Sequence, residues 1–194
     1  VKIMKKIKII TDTTADLPKE VLEKYNIDVM PLMINFGEES YLDGVEITTK
    51  EMIDKINATG ILPTTAQVTP NRFEETFKKY LDEGYKIVVL TLSSDMSGTY
   101  QSACIAKDML ESDDIVVIDS RNVTSGLGLL VLKACELRDK GLGIKEIEEE
   151  ILKAIPKVKS SLNFESLENL VRGGRLSKTA GTIGSVLGLR LILE

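Results

Sequence analysis

Three short stretches of hydroxyl residues are where this sequence could do chemistry. Thr11, Thr13 and Thr14 lie in TDTTADLP, Ser93, Ser94 and Ser97 in SSDMSGTYQSA, and Ser120, Thr124 and Ser125 in VIDSRNVTSGLG. Each stretch follows or ends a run of β-branched residues. In open α/β sheets ligands collect at the carboxyl ends of the strands, so the three loops are expected on one polar rim. The second loop is the sharpest. Ser97, Gly98 and Thr99 precede an expected helix whose unpaired first-turn N–H groups and partial positive charge favour an anion, either a carboxylate or a phosphate. The competing reading is that Ser97 or Thr99 simply caps that helix, and the two roles are compatible.

Other polar segments carry weaker signals. In TDTTADLP, Asp16 is expected to cap the helix that contains Pro18, with Thr11 to Thr14 forming the turn. PTTAQVTP brackets Thr64, Thr65 and Gln67 between two prolines, which predicts a stiff, extended polar loop. Gly126 and Gly128 open an otherwise apolar helix and permit close backbone approach, to a ligand or to a neighbouring strand. LVRGGRLSKTAG places Arg172, Arg175 and Lys178 beside glycines, but it lacks the Gly-Lys-Ser/Thr ending of a phosphate loop. It reads as a basic turn or as a docking patch for an acidic or phosphorylated partner. No G-x-G-x-x-G follows a strand, so no dinucleotide cofactor is expected.

Composition removes further classes. The 194 residues contain no histidine, which eliminates the usual general base, the commonest metal ligand and every histidine triad. Cys104 and Cys135, the only two cysteines, fall in expected helices. They offer neither a zinc cluster nor a secreted disulfide framework, which favours a reducing, cytoplasmic setting. A net charge of −5 and the absence of tryptophan argue against nucleic acid, which needs a concentrated basic face. No run approaches the ~18 apolar residues of a membrane span, although peripheral membrane contact stays open. VKIMKKIKII has no apolar core of a signal peptide and reads as a first strand, with Val1 to Ile3 either a remnant ahead of a start at Met4 or native residues.

The elements that must hold these loops alternate. KIKII leads into a helix from Pro18 to Tyr25. Pro31 makes part of the apolar stretch Ile27 to Ile34 an edge or a bend, a polar turn covers Asn35 to Ser40, and Thr48 or Thr49 caps a helix to Asn57. Thr69-Pro70 is an N-cap and first-turn proline, followed by Phe73, Phe77, Tyr80 and Leu81 on one helical face before Gly84. KIVVLTL is a strand, the next helix runs to about Leu110, and IVVID precedes a helix from about Thr124 to Arg138. Ile144 to Ile155 is an acidic amphipathic helix, its run Glu146 to Glu150 a solvated face, that ends at Pro156. Short buried strands alternating with helices predict an α/β fold, an open and mainly parallel sheet with helices on both faces. This domain is expected to span residues 1–158. Residues 159–194, with a strand, a short helix, a Gly-Gly turn and an apolar helix, read as the start of a second, smaller α/β domain. The chain stops among Leu191 to Leu193 without a polar cap, which reads as truncation of that domain.

Taken together, TDTTADLP, PTTAQVTP, SSDMSGTYQSA, VIDSRNVTSGLG and LENLVRGGRLS resemble the DegV family of bacterial fatty-acid-binding proteins, over the whole chain from about Met4. The resemblance implies a non-catalytic lipid carrier without cofactor or metal, binding a long-chain fatty acid with its tail between two domains. It also implies that the carboxylate is held by Thr65 and Ser97, with Thr64, Ser94, Gly98 and Gly126 as further pocket contacts. Some members are the FakB-type binding subunit of a fatty acid kinase, which makes Arg175 a candidate contact to a separate ATP-using partner. Ala66 and Val68 depart from the serine and proline frequent in the family, and each alters the stiffness of that loop. Members usually continue beyond the point where this chain ends. Two other classes compete: a hydrolase using Ser97, for which no G-x-S-x-G elbow is present, and an interaction module without lipid.

Overall fold

The computed structural model describes residues 6–164, 166–176 and 192–193. Val1 to Lys5 and the apolar helix expected after the Gly-Gly turn lie outside these described residues. The chain divides into two compact units. Of the described residues, one unit takes those through Leu32 together with Gln67–Val158. The other takes Met33–Ala66 together with those from Lys159 onward.

The first unit is built on a four-stranded parallel sheet of order β2-β1-β6-β7. Its strands are β1 (Ile7–Asp12), β2 (Ile27–Met30), β6 (Lys86–Thr91) and β7 (Ile115–Asp119). Ile9 pairs with Ile27 on one side and Val88 on the other, and Val89 pairs with Val117. Such strands are apolar on both faces because helices cover both. Side chains alternate accordingly. Ile9, Val88, Leu90, Val116 and Ile118 pack with residues of α5 (Thr124–Asp139) and α6 (Ile144–Ala154). Ile10, Ile87, Val89 and Ile115 face α3 (Pro70–Asp82) and α4 (Thr99–Leu110), meeting Phe73, Phe77, Ala103 and Ala106. The expected α/β class, with its parallel sheet sandwiched between helices, is therefore what the protein has.

Local signals explain the helix starts. Thr69 accepts from the Arg72 N–H ahead of Pro70 in the first turn of α3, and Gly84, at φ 81°, follows the carboxyl end of the helix. The short α1 (Lys19–Lys24) differs from expectation. Its N-cap is Pro18, with no side-chain cap, and Asp16 does not serve it. Asp12 instead caps a single 3-10 turn, Thr13–Ala15, by accepting from Thr14, and Asp16 closes that turn in the left-handed conformation at φ 50°.

In the second unit, β3 (Met33–Phe36) lies between β4 (Glu39–Leu42) and β5 (Thr64–Ala66), antiparallel to both. Pro31 separates β2 from β3, as a residue that cannot continue a ladder should. The expected polar turn over Asn35 to Ser40 shrinks to Gly37 and Glu38, its flanks being strand. Thr48 caps α2 (Thr49–Thr59) in a reciprocal capping box with Glu51. Ile34, Phe36 and Ile47 form a small core that Met52 and Ile56 of α2 pack against. Two short strands, β8 (Leu162–Asn163) and β9 (Ile192–Leu193), pair antiparallel, and α7 (Glu168–Arg172) leads into Gly173 and Gly174.

Candidate functional site

The three hydroxyl loops do meet at the carboxyl edge of the parallel sheet, and carboxylates tie them together. Asp12, at the end of β1, is fully buried and accepts from the Leu92 N–H at 2.8 Å, the Thr14 N–H at 3.0 Å and the Thr14 hydroxyl at 2.6 Å. Burial pushes its carboxyl above the ordinary range, and these three donors oppose that rise. Asp119, at the end of β7, accepts from the Ser94 N–H at 3.1 Å, the Ser94 hydroxyl at 2.5 Å and the Arg121 N–H at 3.0 Å. Arg121 also pairs with Asp95. The Ser93 N–H donates to the Asn122 carbonyl at 2.9 Å. The loop between β6 and α4 is thus held from both sides by its neighbours.

That loop delivers Ser97 and Gly98 to the start of α4. Gly98 is the N-cap and provides no side-chain cap. Ser97 stands one position earlier. Its Oγ accepts from the Thr99 N–H at 3.2 Å and lies 3.0 Å from Thr99 Oγ1, so it bridges to the helix without occupying the cap position. Thr99 is fully buried, whereas Ser97 is half-buried. The Val68 N–H reaches Thr99 Oγ1 at 3.4 Å. A proline at position 68 has no such hydrogen, so the departure at Val68 adds a donor to this cluster. The Val68 side chain is fully buried against α3.

Gly98 leaves room for its neighbour. A Cβ there would lie 2.0 Å from Gln67 Oε1, so the Gln67 amide occupies the space that any side chain would take. From that position Gln67 Nε2 donates to Ser102 Oγ at 3.0 Å, in the first turn of α4. Gly128 is tight for another reason. A Cβ on it would stand 2.9 Å from the Ala15 carbonyl oxygen and 3.2 Å from Leu17, which packs α5 against the loop after β1.

The remaining predicted positions fall as follows. Ser94 donates its single hydroxyl hydrogen to Asp119 and is exposed. Gly126 is buried in the first turn of α5. Thr64 and Thr65 form an exposed strand, β5, where a loop was expected, because they pair with Asn35 and Ile34. Their side chains leave the strand on opposite faces. Arg175 is exposed after the Gly-Gly turn and reaches back to the Gly173 carbonyl. Asp12 and Asp119 tie the candidate site together and were not singled out by sequence reasoning, which named Gln67 only as part of a stiff polar loop. An acidic residue closing each of β1 and β7 was the available signal for Asp12 and Asp119.

Among the described residues, no group of three or more His, Cys, Asp or Glu side chains is arranged to hold a metal. No described helix is long and apolar enough to cross a membrane. An open cleft of about 570 Å³ lies at the opposite, amino-terminal edge of the sheet, lined by Lys6, Tyr25, Asn26, Tyr85 and Arg138 among others. It is remote from the hydroxyl loops.

Comparison with known proteins adds an independent finding. A family model described as "Uncharacterised protein, DegV family" matches residues 6–194. A DegV domain-containing protein of Clostridium acetobutylicum is 61% identical over 191 residues, covering 98% of this chain and 68% of that relative. Among solved structures, DegV of Bacillus subtilis, described as a fatty acid binding protein, superposes with a TM-score of 0.85 at 30% identity, covering 97% of this chain and 67% of that one. A stearic-acid-binding protein of Eubacterium ventriosum gives 0.82 at 29% identity, covering 95% and 65%.

Proposed function

The chain belongs to the DegV family, and on that premise we propose that it binds a long-chain fatty acid as a carrier rather than as a catalyst. Ser97 and the first turn of α4 hold the carboxylate. Thr65 supplies a second hydroxyl, and Thr64, Ser94, Gly98 and Gly126 are further candidate contacts. The observation that carries this reading is the similarity to solved proteins described as binding fatty acids, at TM-scores of 0.82 to 0.85.

Energetics support it. Burying about 14 methylenes at about 0.8 kcal/mol each gives about 11 kcal/mol, comparable to the ~4–15 kcal/mol lost on association. Affinity is then decided by the head group, where an unpaired buried carboxylate is strongly unfavourable and charge-assisted hydrogen bonds are strong. The hydrolase alternative is disfavoured by Ser97 itself. Among the described residues, its Oγ partners are the Thr99 N–H and hydroxyl, and neither is a base. We further propose a cytoplasmic protein that presents its ligand to a separate kinase subunit, with the exposed Arg175 on the contact surface.

Solvent extraction and mass spectrometry of the purified protein test the carrier reading. A near-stoichiometric long-chain fatty acid is expected, and Ser97→Ala and Thr65→Ala should each weaken uptake about tenfold or more, the worth of one hydrogen bond to a charged group. Protein that carries no lipid and takes up none on titration would overturn it.

A further inference from the structure

The hydroxyl of Thr99 is fully buried, so its hydrogen needs an acceptor inside the protein. Among the described residues, one acceptor is within reach, Ser97 Oγ at 3.0 Å. The Val68 N–H, at 3.4 Å, occupies Thr99 Oγ1 from the other side and favours the same polarity. With Thr99 as the donor of the pair, its buried hydrogen is satisfied. Ser97 Oγ also receives the Thr99 N–H at 3.2 Å. A serine oxygen has two lone pairs and one hydrogen. Both lone pairs are filled from within, and the hydrogen alone is left for whatever approaches the half-buried side chain.

We infer that Thr99 is a positioning residue that makes Ser97 a donor-only hydroxyl, so that Ser97 favours an ionised carboxylate over head groups that must themselves donate. This rests on the proposed binding of a fatty acid at Ser97 and specifies which form of head group it accepts. A carboxylate is acceptor-only and matches the single outward hydrogen. A fatty alcohol or a protonated acid brings a hydrogen that Ser97 has no lone pair to receive, so at Ser97 the carboxylate is the better match.

The test compares oleate with oleyl alcohol as competitors for a bound fluorescent fatty acid, in the intact protein. In Thr99→Val the inner hydroxyl is gone and one lone pair of Ser97 opens. The preference for oleate over the alcohol should fall about three- to tenfold, the worth of one neutral hydrogen bond. Thr99→Ser keeps the relay and should restore the wild-type preference. Thr99→Ala reads the same loss if Thr99→Val does not fold. A purely structural Thr99 would lower both affinities together, and an unchanged preference in the Thr99→Val or Thr99→Ala protein overturns the inference while leaving the carrier reading intact. Failure of the wild type to bind either competitor overturns both.

Discussion

Substituting Gly98 by alanine probes the start of α4 directly, because what the new methyl meets is known. Its Cβ would lie 2.0 Å from Gln67 Oε1, 2.8 Å from Cδ and 3.0 Å from Nε2, so the amide must leave. The obstacle is the far end of an exposed, flexible side chain, and Gly98 sits at φ −75° and ψ 4°, which alanine adopts without strain. The loss is therefore the Gln67–Ser102 hydrogen bond, about 0.5–1.5 kcal/mol, and not a backbone rearrangement. Against this stands the reduced entropy of the unfolded chain on replacing glycine, about 0.4–1 kcal/mol. The net change in the wild-type background should be within about 1 kcal/mol of zero. In a Gln67→Ala background nothing remains to be displaced. Any local preference for alanine or glycine at this helix start is common to both backgrounds and cancels in the cycle. The coupling between the two positions should equal the lost hydrogen bond, about 0.5–1.5 kcal/mol. Urea unfolding of the four proteins measures it with a common m-value. Additive single effects would refute the placement of Gln67 over Gly98, and a Gly98→Ala penalty above about 3 kcal/mol would show that the backbone, not the amide, is in the way.

Gly128→Ala should behave oppositely, since its Cβ would meet the Ala15 carbonyl at 2.9 Å and a backbone group cannot swing aside. A loss of about 1–3 kcal/mol is expected by thermal unfolding, insensitive to changes at Gln67. Tyr80 predicts a pH effect. Burial, and then its 2.6 Å hydrogen bond to Asp28, raise its phenol above the ordinary value of 10.0. Below pH 10 both states keep the proton; above it the unfolded chain ionises first, so this contribution to stability is lost as pH climbs through the folded value. Tyr80→Phe should flatten the alkaline decline in stability above pH 10, and an unchanged slope would reject the assignment. Lys8, whose ammonium lies 4.9 Å from the Tyr80 ring and is lowered by burial, works in the opposite sense below 10.5, so the effect is read as a difference between the two proteins.

What could be read in the sequence followed from how local each signal is. The start of α3 was legible because its cap, its first-turn proline and its spaced aromatics all lie within one stretch. The strand from Lys86 was legible because burial on both faces leaves an uninterrupted apolar run. The choice between Asp12 and Asp16 was not legible. Both sit in TDTTAD with comparable local geometry, and the contact that selects Asp12 comes from Leu92, far along the chain. Thr64 to Ala66 looked like a loop because three residues carry no periodicity, and pairing with β3 makes them a strand. The position of Ser97 just ahead of a helix was legible from the Ser-Gly-Thr spacing. The parts of Gln67 and Thr99 depend on side-chain directions that appear only once α4 and the segment from Gln67 are side by side.

The departure of the chain at Pro31 and its return at Gln67 has an evolutionary corollary. β1 and β6 are adjacent in the sheet although the whole Met33–Ala66 excursion intervenes between them. Closing a longer loop is entropically cheap, each doubling of length adding only about 0.6 kcal/mol, so the parallel sheet scarcely registers how much chain is spliced into this crossover. Insertions and deletions within Met33–Ala66 can therefore reshape the second unit while the scaffold that presents Ser97 keeps its stability. That crossover is where homologues should diverge in length.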